Sequence, residues 1–357
     1  LLQQNGIEVK VYERDEHKDA RAKGATLDLH DESGLAALRE AGLMEAFEAN
    51  YRPGADKVRV MDKHANIVLD EHLKIDHETH RPEIDRGPLQ SILLDSLQPD
   101  TVIWDSHFLA LTSQNDSWEL QFKNDHSAIA DIVIAADGAN SKIRPYVTPI
   151  KPTYAGVTCL EGLVYDSQNT VPGMHELLKD GKIFAFGDEK SLIVSAKGDG
   201  SLAFYIGFKK DESWGKESGI NFSDKAQVVS WFKEEYAGWD KTWLELFENA
   251  SSGLILRPQY CIPFDQTWPA KSNLTMLGDA AHLMPPYAGE GVNMAMLDAL
   301  ELSRCLLCDD FSDTQTAIAA YENQMRTRTA ETAEITMEST AALHSPNAIN
   351  YLVSLIG

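Results

Sequence analysis

Residues 274–307 read LTMLGDAAHLMPPYAGEGVNMAMLDALELSRCLL. The apolar run at its start reads as a buried strand that delivers Gly278 and Asp279 to a loop, and after Gly289 and Gly291 the apolar spacing becomes helical. The segment is therefore a strand, a Gly-rich turn and a helix. A helix start presents unpaired N–H groups and the positive end of the peptide dipole, and bare glycine backbone lets an anion approach them. Pro285 and Pro286 stiffen the approach, while a short carboxylate such as Asp279 can accept hydrogen bonds from the hydroxyls of a polyol chain. The alternative is a capped turn, with Asp279 bonding its own backbone and His282 packed.

A second βα unit opens the chain. LLQQNGIEVKVYERD (1–15) reads as the last turn of a helix, a stop at Gly6 and a strand Ile7–Tyr12 ending at Glu13-Arg14. An acidic residue at that strand end can accept from ribose hydroxyls, although a surface Glu reads the same way. In a complete unit the first strand and its G-x-G-x-x-G turn come before this helix, and here nothing precedes Leu1. The expectation is a nucleotide unit that lacks its pyrophosphate cradle and holds a dinucleotide weakly.

Between these ends, residues 33–49 carry helical spacing interrupted by Gly42, and a helix follows Asp85 as N-cap with Pro88 in its first turn. Trp118–Phe122 and Ile129–Ala135 look like a hairpin whose second strand is central and ends at Asp137-Gly138. From about 150 to 254 short alternating runs (183–186, 192–196, 202–208) predict a separate, largely antiparallel sheet. Residues 312–343 lack Gly and Pro and predict a long terminal helix.

Composition bounds the partners. With 32 Lys and Arg against 55 Asp and Glu, the formal charge of -23 repels nucleic acid and anionic lipid. The absence of a long apolar run argues against a membrane span, and a soluble cytoplasmic monomer acting on a small-molecule substrate is the simplest expectation. Four scattered cysteines make no disulfide framework, and Cys305 and Cys308 read as two thiols on one helix rather than a metal or redox pair.

Taken together, GDAAHLMPPYAGEGVNMAMLDA and ADGANSKIRPYV resemble the second FAD motif and the Asp-Gly motif of the class A flavoprotein hydroxylases, the family of para-hydroxybenzoate hydroxylase. ATLDLHDESG, PEIDRGPLQSILLDSL and DTVIWD resemble its tetracycline-inactivating branch, so the likeness covers nearly the whole chain. It implies FAD and NAD(P)H as cofactors and a reaction in which O2 adds at flavin C4a and the hydroperoxide hydroxylates an electron-rich aromatic or enolic carbon.

By position, the resemblance places Asp279, beside Gly278, on the ribityl chain and the loop Pro286–Asn293, with Gly289, Gly291, Val292 and Asn293, along the flavin pyrimidine. Glu13, with Arg14 beside it, goes to the adenosine ribose, Arg86 to the ribityl-phosphate part, Asp137 to the dinucleotide sites and Asp28 near the isoalloxazine. No acid, base or nucleophile triad is required, and His30 and His282 are expected to serve packing. Substrate contacts fall near Glu176, Ala203 and Pro286, although Glu176 is acidic where an amide is expected and Ala203 is not polar.

The expected fold is α/β: a discontinuous Rossmann-like FAD-binding domain (1–49, 78–150, 252–311), a β-rich substrate domain (50–77, 151–251) and a C-terminal bridging helix (312–344). Two rival readings stay open. One is an FAD-poor protein that sequesters a planar ligand, and the other is a flavin oxidase or dehydrogenase on the same scaffold.

Overall fold

The computed structural model describes residues 1–20, 24, 26–74, 81–251 and 253–356. The chain opens with β1 (Val11–Tyr12), β2 (Thr26–Asp28), α1 (Gly34–Glu40), α2 (Met44–Glu48), β3 (Val58–Asp62) and β4 (Ile67–Asp70). Next come β5 (Glu83–Asp85), α3 (Arg86–Asp95), β6 (Val102–Ile103), β7 (Phe108–Gln114), β8 (Ser117–Phe122), β9 (Ser127–Ala130), β10 (Val133–Ala135) and α4 (Arg144–Val147). The central part holds β11 (Thr153–Val164), α5 (Ser167–Thr170), α6 (Pro172–Leu178), β12 (Lys182–Gly187), β13 (Lys190–Ala196), β14 (Leu202–Lys209), α7 (Trp214–Glu217), α8 (Lys225–Glu235) and α9 (Lys241–Glu248). The chain closes with β15 (Ile255–Cys261), β16 (Leu274–Met276), α10 (Asp279–His282), α11 (Gly291–Leu307), α12 (Thr314–Leu343) and α13 (Ala348–Ile356).

Two parallel pairs, β1 with β6 and β10 with β16, lie in separate sheets, and among the described residues no ladder hydrogen bond joins them. The strand expected from Ile7 shrinks to Val11–Tyr12, which has one two-residue neighbour and leaves Ile7 and Val11 exposed. The expected hairpin is also corrected. β9 pairs with β8 in a meander, whereas β10 leaves it to run parallel to β16, because its residues are buried beside the apolar Leu274–Met276 and need a core neighbour.

The largest sheet has seven strands in the order β15-β11-β14-β13-β12-β3-β4. Its period-2 pattern sorts the side chains cleanly. Leu192, Val194, Leu202, Phe204, Ile206 and Phe208 join Trp243, Leu246 and Phe247 of α9 and Phe232 of α8 in one core on the helix-covered face. The alternate residues, among them Glu161, Ala203 and Tyr205, stand on the opposite face. β15 belongs to this sheet through its pairing with β11. The boundary expected at 77–78 lies outside the described residues.

Gly42, at φ 71, splits the helix expected over 33–49 into α1 and α2. Asp85 precedes α3 as foreseen, but its carboxylate accepts from the Gly198 N–H (2.8 Å) of the large sheet's loop instead of capping the helix. Cys305 is buried on α11 and Cys308 is exposed just past its end. α12 packs against α11 and the turn Pro286–Ala288, and its buried Glu322 accepts from Trp268 Nε1 (2.9 Å) and Thr275 Oγ1 (2.8 Å).

α12 ends at His344, which is fully buried and ties this helix to the large sheet. The partners fix its tautomer: Nδ1–H donates to Thr340 O (2.7 Å) and Nε2 accepts from the Ser191 hydroxyl (3.1 Å). Burial pushes the imidazole down to about 4, so the unfolded chain takes the proton first. The stability of the neutral ring is therefore full above about pH 6.5 and is lost as pH falls toward 4. Urea unfolding at pH 7 and pH 4.5 should show the wild type losing about 2 kcal/mol more than His344→Gln. Equal losses in the two proteins would contradict this.

Candidate cofactor site

β16 ends buried, and the Leu277 N–H continues the ladder to Ala135 O (3.0 Å) before the chain turns at Gly278. Gly278 has φ 58, and a Cβ there would lie 3.1 Å from Ala295 Cβ on α11, so both backbone conformation and close approach select glycine. Its N–H donates to Asp298 Oδ2 (2.8 Å). The same carboxylate, fully buried on α11, receives His282 Nε2 (2.5 Å) and Arg328 Nη2 of α12 (2.6 Å), and Arg328 also pairs with Glu301. One buried acid thus gathers the strand end, α10, α11 and α12.

Asp279, the next residue, is open to solvent on one side while protein crowds it on the others. That crowding raises its carboxyl, and the charges of His282 and Arg86 hold it partly back. The chain then makes a short turn, Pro286–Ala288, closed by Gly289 at φ 74. α11 begins at Gly291 with no side-chain hydrogen bond capping its amino end, and space is open where a Gly291 side chain would stand. Asn293 is spent on holding the loop. Its Oδ1 accepts from His30 N (2.9 Å) and Ser33 Oγ (3.3 Å), and its Nδ2 donates to Asp28 O (2.9 Å). Val292 packs with the α1–α3 core, and Pro286 is exposed.

Asp28 closes the far wall. A Cβ on Gly289 would meet its carboxylate at 3.3 Å, and His30 Nε2 stands 3.2 Å from its Oδ2. Burial alone would raise the Asp28 carboxyl, but the His30 hydrogen bond and the charges of Lys182 and His30 outweigh it, and the net shift is downward. Arg86 is exposed at the first turn of α3. Beside it, the position of a Gly24 side chain would lie 3.7 Å from Arg86 Nε and 3.4 Å from both Glu161 Oε1 and the Tyr205 hydroxyl. The loop of β2 therefore brings the large sheet's free face against the cofactor-side residues.

Of the expected residues, Asp28, Gly278, Asp279, Pro286, Gly289, Gly291, Val292 and Asn293 fall on one connected loop system, with Arg86 coupled to Asp279 by charge. Glu13, Arg14 and Asp137 stand apart, at the carboxyl ends of β1 and β10, where ligands bind in parallel α/β sheets. Glu13 Oε1 accepts from Asp15 N (2.9 Å), and Asp137 Oδ2 accepts from Lys142 N (2.7 Å) and Ile143 N (3.3 Å), which organises the turn before α4. Ala203 is fully buried on the face of β14 that also carries Tyr205. Glu176 is exposed on α6, whose Met174 and Leu178 pack into the core on the sheet's other face.

Sequence reading passed over four features. Asp298 sits between Met294 and Leu302 at a spacing of four, and that charge on an apolar stripe was the available signal. Arg144, within ADGANSKIRPYV, is buried and donates to Ala280 O and Ala281 O (both 2.8 Å) and Gln266 Oε1 (2.7 Å). Burial lowers its guanidinium to about 10. Glu290 faces His30. Glu161 accepts from the Tyr205 hydroxyl (3.2 Å) and pairs with Arg257 Nε (2.7 Å), a constellation of three strands that no local pattern announces.

Parallel strand ends, bare amide donors at a helix start and a carboxylate beside them suit a flavin dinucleotide. Residues 268–336 match the family model described as FAD binding domain. Monooxygenase asqM of Emericella nidulans is 26% identical over 99% of this chain and 93% of its own length. The 6-hydroxynicotinate 3-monooxygenase of Pseudomonas fluorescens is 26% identical over 95% and 87%. Among solved structures, tetracycline destructase Tet(55) superposes with a TM-score of 0.77 at 20% identity, covering 99% of this chain and 90% of that one, which shows a shared fold. These similarities support a flavin-dependent monooxygenase with FAD as its cofactor.

If Asp298 organises the loop, Asp298→Ala leaves the Gly278 N–H, His282 and Arg328 without their acceptor. The expected loss is about 3–5 kcal/mol in denaturant unfolding, with Asp298→Asn in between. A loss below about 1 kcal/mol would refute the role given to this carboxylate.

Proposed function

We propose that the protein uses FAD and NAD(P)H to hydroxylate an electron-rich aromatic or enolic small molecule. The observation that carries this reading is the uncapped amino end of α11, opened by Gly289 and Gly291 and flanked by the solvent-facing carboxylate of Asp279. These residues fit the group. Amide donors and helix dipole favour negative charge on the pyrimidine edge of a flavin, and Asp279 offers acceptors to ribityl hydroxyls.

Arg86 would take the ribityl-phosphate part, Glu13 with Arg14 the adenosine ribose, and Asp137 would hold the turn at the dinucleotide sites. Bound FAD would supply the redox chemistry, accepting reducing equivalents from NAD(P)H and activating O2. The chain's own residues orient the substrate and exclude water. Ala203 and Tyr205 on β14 and Glu161 on β11 would form the substrate wall, with Pro286 at its rim and Glu176 outside it.

We propose a planar substrate. The relatives' names point the same way, since one acts on a hydroxynicotinate and a structural neighbour on tetracycline. Tyr205 and Glu161 add a phenol and a carboxylate to this wall, which favours a substrate with its own hydrogen-bond donors. We place the protein as a soluble cytoplasmic monomer. Among the described residues no helix is long and apolar enough to cross a membrane.

Two measurements test this reading. Purified protein should show flavin absorbance and, with a matched substrate, incorporate one atom of labelled O2 per NAD(P)H oxidised. Peroxide formed in place of labelled product would point to an oxidase instead. Asp279→Ala should weaken FAD binding about ten- to a hundredfold, on the order of 1.5–3 kcal/mol, because the ribityl hydroxyls lose charge-assisted acceptors. Unchanged affinity in a folded variant would remove Asp279 from the site.

A further inference from the structure

His30 is nearly fully buried, and both of its ring nitrogens face carboxylates. Nε2 lies 3.2 Å from Asp28 Oδ2, and Nδ1 lies 3.5 Å from Glu290 Oε2. Its backbone is fixed by the hydrogen bond from His30 N to Asn293 Oδ1 (2.9 Å). Glu290 stands between the two glycines at the amino end of α11, yet its side chain does not cap that helix.

A neutral imidazole carries one N–H, so between two carboxylates it would turn a lone pair toward one of them. Two arrangements avoid this: an imidazolium between two carboxylates, or a neutral ring donating to Asp28 while Glu290 holds the proton. The two contain the same number of protons and differ only in where one of them lies. We infer that Glu290 and His30 share one proton, and that the pair takes up a second when the flavin at this helix end is reduced. This inference rests on the FAD reading given above.

The balance is simple. Two electrons and one proton convert FAD to its reduced anion, with NAD(P)H or an electrode as the source. The added negative charge at the start of α11 repels the Glu290 carboxylate. A further proton from solvent then leaves Glu290 neutral and His30 charged.

The surroundings support the uptake. Burial raises the Glu290 carboxyl, His30 and Arg81 oppose that rise, and Asp28 and Glu32 add to it. Asp28 is itself held down by His30 and Lys182 and lies 3.8 Å from Arg81, so it stays the fixed negative partner. Glu290 is the member whose charge can change.

The test is a redox titration of the FAD-loaded wild type, Glu290→Gln and His30→Gln across pH 6 to 9. Over part of that range the wild type should take up about one more proton per two electrons than either variant. That is a tenfold change in apparent equilibrium constant per pH unit, or about 30 mV per pH unit for a two-electron couple. Redox-difference infrared spectra should show carboxyl protonation in the wild type that is missing in Glu290→Gln. Identical slopes together with an unchanged carboxyl band in FAD-loaded Glu290→Gln overturn the inference and leave the function standing. Failure of the wild type to bind FAD overturns both.

Discussion

The structure depends on one buried carboxylate. Asp298 has no contact with solvent, and its two oxygens receive the backbone N–H of Gly278, an imidazole from α10 and a guanidinium from α12. A charge so far from water is tolerated only when its lone pairs are filled, so the three donors must arrive together. Once they do, the end of β16, the turn at Gly278 and the starts of α10 and α11 have little freedom left. The presentation of Asp279 and of the bare amides beyond Gly289 follows from that. Arg144 repeats the device on the other side, drawing the carbonyls of α10 toward the turn that follows β10.

The large sheet works through its two faces. One face is closed by α8 and α9 and carries the aromatic core that stabilises the domain. The other is covered by α13 over β3 and β12 and carries Glu161 and Tyr205 beside Gly24. Long α12 contacts α11 and the large sheet. It touches the flavin loop through Arg328, the base of β16 through Tyr321 and Glu322, and the large sheet through His344 at its end. Ala317, Ile318, Tyr321, Met325, Ala333 and Leu343 are buried along it, while Ile335 is exposed.

The sequence was most readable where local chemistry and fold agree. Gly278-Asp279, the double proline and the glycines before α11 follow one another in the chain, so their function as a loop could be read without knowing the neighbours. The runs 183–186, 192–196 and 202–208 read as strands because they are short, apolar and bounded by Gly and Asp turns, although both of their faces are largely buried. What escaped notice depended on long-range pairing. The strand at 255–261 has no signature that assigns it to one sheet or another, and β10 looked like the return of a hairpin until its partner β16 was seen. The Glu161, Tyr205 and Arg257 cluster joins residues up to 96 positions apart. Asp298 gave a hint as a charge on an apolar stripe, but only its partners explain it.

A crystal structure of the protein with FAD would test the central claim most directly. The account predicts the pyrimidine edge of the flavin within hydrogen-bond reach of the Gly291 and Val292 amides, Asp279 on the ribityl hydroxyls, and the ring facing Tyr205 and Ala203 of β14. A flavin seated away from the start of α11, with Asp279 contacting no part of it, would contradict the account.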